Sequence, residues 1–187
     1  MKFSRLFLFT LIISVVALAT GVIGFAATSS SASVADCIRE IVTEGDVARR
    51  PENTPATPAD DWVIYTRTGT PPTAAAFVPG PAAPPAGVGS LRLQTLTSGE
   101  KVFIFNYEHE GTKLADLTKL SYVTYRSAGN GNQLPALNSV IDFNGPNVDG
   151  GFSTLVFEPV YNLGQHAIVN NTWQSWDALG GGIWWST

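Results

Sequence analysis

Short segments of alternating residue character, separated by turn signals, constrain the fold of this chain most strongly. In residues 101–110, KVFIFNYEHE, successive side chains point to opposite faces of an extended strand, and both faces begin apolar. This pattern is typical of a central strand that is covered on two sides. Comparable segments recur at roughly ten-residue spacing, with Gly, Pro, Asn and Ser between them. The predicted strands are residues 62–68, 90–96, 101–110, 120–126, 136–143, 152–161, 166–169, 172–177 and 183–187.

The spacing of these strands predicts an all-β domain, a sandwich or a barrel. The sequence pattern contains no long amphipathic helix and no alternation of strands with helices. Residues 111–119 fit a helical turn, and residues 37–47 fit a short helix or an edge strand. Residues 48–61 are polar and predict a surface linker or loop. Residues 69–89 carry six prolines, so we expect a long loop without a regular element.

The first 35 residues have the order of an export signal. Lys2 and Arg5 provide a basic start, and residues 6–27 are apolar and carry no charge. Small residues follow as far as Ala35, as expected of a cleavage zone. Cleavage there releases a secreted domain, whereas the uncleaved segment is long enough to anchor the domain in a membrane as a helix. The sequence therefore predicts an extracytoplasmic protein, either secreted or tethered through residues 6–27.

The remainder of the chain has the length of one domain. We divide the sequence into a leader at 1–35, an N-terminal segment with a polar linker at 36–61, and a β-sandwich domain at 62–187. The chain has eleven basic and fifteen acidic residues, and the leader contains two of the basic ones. This acidic excess argues against a nucleic-acid partner, which needs a basic face. Cys37 is the single cysteine, so the fold depends on its core and not on an internal disulfide.

The order of motifs along the chain resembles that of a group of secreted bacterial β-sandwich proteins. The motifs are FVPGPAAPPAGVGSLRL, GTKLADLTKLSYVTYR, LNSVIDFNG, GGFSTLVFEPVYN, TWQSWDAL and IWWST, and together they span about residues 62–187. The group has a jelly-roll character similar to that of carbohydrate-binding modules and lectin-like domains. The resemblance implies a two-sheet antiparallel jelly-roll-like sandwich, export from the cytoplasm and, by analogy, glycan binding.

The tryptophans near the C-terminus are the candidate ligand-binding residues. Glycan-binding sandwiches expose flat aromatic rings, because the C–H face of a sugar stacks on them. We select Trp173, Trp176 and Trp184 for this role. Adjacent residues of a strand point to opposite faces, so Trp184 and Trp185 do not both belong to the core of a regular strand. The alternative interpretation places these rings in the core and under loops.

Catalytic signatures are weak in this sequence. Glu108 and Glu110 share one face of a strand and Glu158 lies on another strand, but the carboxylate pattern of sandwich glucanases is absent. His109 and His166 are the only histidines, and neither has the spacing of a polysaccharide lyase motif or a cysteine partner for zinc. No serine-hydrolase, phosphate-binding or dinucleotide-binding motif is present. A non-catalytic protein is therefore the favoured interpretation.

Residues 142–150 place oxygen-bearing side chains at alternating positions, and this arrangement fits either a calcium loop or a hairpin turn. Apart from this weak calcium signal, no cofactor is indicated. The sequence as a whole predicts an exported non-catalytic module that binds a glycan or a cell-envelope polymer. The alternatives are a glycan-active hydrolase or lyase, and a purely structural envelope or adhesion domain.

Overall fold

The computed structural model describes residues 40–129, 131–145 and 147–187, and their regular structure consists of strands and short 3-10 helices. The strands are β1 Val47–Pro51, β2 Trp62–Thr66, β3 Ala75–Val78, β4 Ser90–Leu93, β5 Val102–Asn106, β6 Ser121–Tyr125, β7 Leu137–Asp142, β8 Phe152–Phe157, β9 Trp173–Asp177 and β10 Trp184–Ser186. The 3-10 helices are Glu44–Asp46, Pro72–Ala74, Leu114–Asp116 and Pro159–Tyr161. The prediction of an all-β protein is confirmed for this part of the chain.

The leader predicted at residues 1–35 lies outside the described residues. Within the described ranges, no helix is both long and apolar enough to cross a membrane.

The strands pair into four small sheets. Their orders are β1-β2-β5, β10-β8-β7, β3-β4 and β6-β9. The pairings between these strands are antiparallel except that of β1 with β2, which is parallel over its whole length. Antiparallel pairing was predicted for residues 62–187, and the paired strands within that range are antiparallel, whereas β1 precedes it. In the first sheet β2 is the central strand and β5 is at an edge. The central position predicted for residues 101–110 is therefore wrong for the described strands, because β2 is the strand with a partner on both sides.

The parallel pairing of β1 with β2 determines the course of the segment between them. Val47 is opposite Trp62, and Pro51 is opposite Thr66. Residues 52–61 must therefore return the chain along the sheet before β2 begins, as any parallel connection requires. The N-terminal segment is thus hydrogen-bonded to the strands of the 62–187 region through β1.

Three local predictions need correction. Residues 48–51, expected to belong to a linker, form most of β1, because Pro51 occurs only at the end of the edge strand, where a missing N–H is tolerated. Residues 69–89 contain β3, because their prolines lie on either side of residues 75–78. Residues 166–169 are not a strand.

The backbone of residues 166–169 is hydrogen-bonded to a side chain in place of a neighbouring strand. The amide of Gln174 accepts a hydrogen bond from Val169 N at 2.8 Å and donates one to the carbonyl of Ala167 at 2.7 Å. Buried backbone groups need partners, and this amide satisfies one donor and one acceptor. The other predicted strand segments each contain an observed strand, and the helical turn predicted at 111–119 is the 3-10 helix Leu114–Asp116.

The main hydrophobic cluster lies between the β6-β9 and β10-β8-β7 sheets. Phe157 and Trp176 are completely buried at its centre. Trp176 also donates a 2.9 Å hydrogen bond from Nε1 to Oγ1 of Thr124 on the paired strand. Gly182 allows a close approach here, because a Cβ at that position would lie 2.8 Å from the ring of Phe157. A side chain at residue 182 would therefore push the turn before β10 away from the core.

We predict losses of stability of very different size for two tryptophans near the C-terminus. Trp176→Ala removes a ring with no exposed surface and should lower the free energy of unfolding by about 3–5 kcal/mol. Trp185→Ala removes a ring that is 43% exposed and should cost about 1 kcal/mol or less. Urea denaturation of both variants measures the difference. Equal losses for the two variants would contradict this assignment of the core.

Tyr122 links the core to the loop before β7. Its hydroxyl donates to the carbonyl of Pro135 at 3.0 Å, and its ring meets Phe157 edge to face at 6.0 Å. Burial, and secondarily the negative charge of Glu158, raises the pKa of Tyr122 well above its ordinary value. The folded protein therefore holds this phenol neutral where the unfolded chain would ionise it.

This difference predicts a loss of stability at alkaline pH. A group whose pKa is raised by folding contributes stability that is complete below the unfolded pKa, here about 10, and is lost as the pH rises above it. Thermal melting should therefore fall more steeply above about pH 10 in the wild type than in Tyr122→Phe. The Phe variant keeps the edge-to-face ring contact. The same alkaline slope in both proteins would exclude Tyr122 as the cause.

Candidate functional site: an aromatic groove

A row of aromatic rings lies on one face of β5. Phe103, Phe105 and Tyr107 alternate with residues of the opposite face, as the period of a strand requires. The centroids of Phe103 and Phe105 are 5.9 Å apart, and those of Phe105 and Tyr107 are 6.2 Å apart with the planes inclined by 27°. All three rings are half-buried. The row therefore provides a continuous aromatic surface along the strand.

Tyr65 of β2 adds a fourth ring and fixes the geometry of the row. Its ring meets Phe105 edge to face at 5.4 Å, with an interplanar angle of 84°. The hydroxyls of Tyr65 and Tyr107 are hydrogen-bonded to each other at 3.0 Å. Because Tyr65 is buried and lies on the central strand, it holds the exposed end of Tyr107 in place. The two hydroxyls place polar atoms among ring faces that are otherwise apolar.

The return loop after β1 provides the opposite wall. Residues 52–56 and the four rings enclose a groove of about 440 Å³. This volume is within the range of small-molecule and oligomer sites. Asn53 has a left-handed backbone with φ of 67°, a conformation that Asn adopts more readily than most residues. The sharp bend at Asn53 starts the loop on its course beside the sheet.

Charged residues are concentrated at the Phe103 end of the groove. Glu52 forms an ion pair with Arg67, with Nε–Oε2 and Nη2–Oε1 distances of 3.0 and 3.4 Å. The hydrogen bond from Arg67, and the charge of Lys101, lower the pKa of Glu52. The ammonium of Lys101 lies 4.6 Å from the ring centroid of Phe103, a cation–π distance. This end of the groove therefore presents the Lys101 cation beside the paired Glu52 and Arg67.

The tryptophans selected from the sequence occupy different environments. Trp176 is fully buried, so its ring has no surface open to a ligand. Trp184 packs against the core, with its ring 5.5 Å from Phe157 and its Nε1 bonded to the carbonyl of Ala178 at 2.8 Å. Trp173 is half-buried against Tyr125 at 5.2 Å. A ligand-binding role for these three residues stays a prediction, and their packing favours a contribution to stability.

The alternation expected at the end of the chain is confirmed, since Trp184 faces the core and Trp185 is exposed. Nε1 of Trp185 donates to the carboxylate of Glu158 at 3.0 Å. Glu158 lines a second, smaller hollow of about 360 Å³ beside residues 131–134. The described residues that line this hollow include no row of aromatic rings. Its Glu158 carboxylate already accepts a hydrogen bond from the indole of Trp185.

The candidate carboxylates are distributed over separate parts of the molecule. Glu108 accepts a hydrogen bond from Asn106 Nδ2 at 3.1 Å and lies close to Glu40. Burial raises the pKa of Glu40, a bond from the indole of Trp62 opposes this shift, and the charge of Glu108 adds to it. Glu158 accepts a hydrogen bond from Trp185 of β10, which belongs to a different sheet from the one that Glu108 follows. The sequence analysis did not include Glu40, which is distant from Glu108 along the chain.

His166 has a structural environment. Its ring stacks on Trp176 with the centroids 4.1 Å apart, and its nitrogens lie 2.9 Å from the carbonyl of Ser175 and from the side-chain amide of Gln174. The described residues contain no group of three or more His, Cys, Asp or Glu side chains arranged to hold a metal. In the loop proposed for calcium, Oδ1 of Asp142 accepts bonds from the backbone of Asn144 and Gly145, both at 3.0 Å. These bonds are those of a tight turn.

Comparisons of the chain with protein families, with curated proteins and with solved structures find no match. The function of the protein must therefore be inferred from the geometry and chemistry of the groove.

The aromatic row was visible in the sequence, but its role was not. The shared face of Phe103, Phe105 and Tyr107 follows from the alternation in residues 101–110, which we interpreted as a central strand covered on both faces. The structure places β5 beside β2 with the return loop as its neighbour across the groove. The signal that could have suggested a groove is the polar, proline-containing segment after Pro51, because such a segment covers a face incompletely.

Proposed function

We propose that this protein is an exported, non-catalytic binding module that takes a glycan or a cell-envelope polymer into the aromatic groove. We further propose that its four small sheets are parts of a jelly-roll-like sandwich, as the sequence resemblance implies. The row formed by Phe103, Phe105 and Tyr107 beside a groove of about 440 Å³ is the observation that carries the proposal.

Sugar chains match this surface in two respects. The C–H face of a pyranose is apolar and flat enough to stack on an aromatic ring, and its hydroxyls need hydrogen-bond partners. The groove offers rings in series along the strand, with the Tyr65 and Tyr107 hydroxyls among them. Because hydrogen bonds and ring contacts hold these groups in place, little conformational freedom is lost on binding. A preformed, mostly apolar site with a few placed polar groups is typical of ligand pockets.

A single ring substitution tests the groove. Phe103→Ala should reduce retention on an insoluble or immobilised polysaccharide by about tenfold or more. The stacking of a nucleic-acid base on an aromatic side chain is worth on the order of 1–3 kcal/mol, and we expect a similar contribution from a sugar ring. Binding is measured by affinity electrophoresis or isothermal titration across a panel of plant and bacterial polysaccharides. The melting temperature of each variant is recorded in parallel.

Two control variants make this result interpretable. Phe143→Ala removes a phenylalanine that is 65% exposed at the end of β7, outside the groove, and should bind like the wild type. Phe103→Leu keeps apolar volume but removes the flat ring, and should bind as weakly as the alanine variant. Wild-type retention by a folded Phe103→Leu protein would contradict the proposed site.

A glycan-active hydrolase is the second candidate function, and the proximity of Glu40 to Glu108 favours it. Two carboxyl groups with different pKa values are the requirement for acid–base cleavage of a glycosidic bond. The raised pKa of Glu40 beside Glu108 meets part of this requirement. Incubating each bound polysaccharide with the protein and measuring new reducing ends decides between the two functions. Reducing ends that disappear in Glu108→Gln would establish the hydrolase.

Export is tested separately from binding. The basic start and the apolar residues 6–27 should direct the chain out of the cytoplasm, leaving a shortened protein in the extracytoplasmic fraction. Deleting residues 6–27 should keep the protein inside. Fractionation followed by intact-mass measurement identifies the cleavage point. A full-length form in the membrane fraction would favour the tether, and an intact soluble form in the cytoplasm would refute export.

A further inference from the structure

We propose that the groove selects acidic polysaccharides, and that Lys101 binds the carboxylate of a uronic acid residue that packs on the aromatic row beside Phe103. This inference rests on the proposed function, since it names the class of glycan that the same groove takes.

The position of Lys101 is fixed by its backbone and by its side chain. Its N–H donates to Oγ1 of Thr70 at 2.8 Å, and its carbonyl accepts from the N–H of Arg67 at 2.9 Å. Its ammonium then lies over the ring of Phe103, 4.6 Å from the centroid. The charge is therefore held at the edge of the groove, beside the first ring of the aromatic row.

The neighbouring acidic groups already have other partners. Glu52 is paired with Arg67 through two hydrogen bonds, so this pair is neutral as a unit. The carboxylate of Glu100 accepts a hydrogen bond from the backbone N–H of Leu96. Among the ion pairs of the described residues, none includes Lys101. Lys101 is thus a cation that can pair with an acidic ligand at this end of the groove.

A uronic acid combines the two features that this end of the groove can recognise. Its ring presents an apolar C–H face to the aromatic row, and its carboxylate projects from the edge of the ring, where the Lys101 ammonium can pair with it. A hydrogen bond between two charged groups is stronger than one between neutral groups. A neutral sugar uses the ring contact only. The rest of the protein is acidic, so the attraction is local to this end and must be sensitive to salt.

The test uses pairs of polymers that differ only in charge. Polygalacturonate, alginate and hyaluronan are each compared with the same polymer after chemical reduction of its carboxyl groups. The wild type should bind at least one acidic polymer about threefold to tenfold more tightly than its reduced form, the effect of one partly exposed charged contact. The preference should decrease as salt is raised from about 0.05 to 0.5 M, since screening shortens the reach of the charge.

Substitutions separate Lys101 from the other cations. Lys101→Gln keeps the aliphatic stem over Phe103 and should remove the preference for the acidic polymer, whereas Lys101→Arg should keep it. Lys113→Gln removes an exposed lysine before the 3-10 helix Leu114–Asp116 and should change nothing. Equal binding of the acidic and reduced polymers by the wild type would overturn the inference. So would an unchanged preference in Lys101→Gln.

The failure of this inference differs from the failure of the proposed function. If the protein binds only neutral polymers and loses them in Phe103→Leu, selection by Lys101 is wrong and the groove remains the binding site. If no acidic or reduced polymer of the panel is retained, the inference is wrong. If no polysaccharide of either panel is retained, the proposed function is wrong as well.

Discussion

The parallel pairing of β1 with β2 is the constraint on which the groove depends. Two strands that follow each other along the chain and run in the same direction need a connection that returns along the sheet. Here that connection is residues 52–61, and its first half becomes the wall opposite the rings of β5. An antiparallel hairpin between the same two strands would have needed a short turn at the sheet edge. The face that carries Phe103 and Phe105 would then have no opposite wall.

The core of the molecule and its proposed binding surface contain different sets of aromatic residues. Phe157, Trp176 and Trp184 are packed together between the β6-β9 and β10-β8-β7 sheets. The indole N–H groups of the two tryptophans donate hydrogen bonds to protein oxygens. The rings of β5 belong to another sheet and border a groove. Because of this separation, we expect substitutions of the groove rings to leave the core intact. It also explains why the total number of aromatic residues does not identify the site.

Local patterns in the sequence located most of the strands. Alternation in residues 101–110 and 136–143 placed β5 and β7, and the adjacency of Trp184 and Trp185 predicted that their rings face opposite sides, but not which of the two is exposed. These predictions succeed because alternate side chains of a strand point to opposite faces whatever the strand pairs with. The strand predicted at residues 166–169 is absent from the structure. There the side chain of Gln174, and not a neighbouring strand, provides hydrogen-bond partners for the backbone.

Charge, the strand segments and the all-β class follow from the sequence by itself, and so does the prediction of export, because each depends on residues that are close together along the chain. Which strand is central, which face is open and which tryptophan is buried were decided only by the tertiary structure. The row of rings on β5 has the same alternation whether a second sheet or a loop lies opposite it. Only the pairing of β1 and β2, between residues about fifteen positions apart, decides that a loop does so.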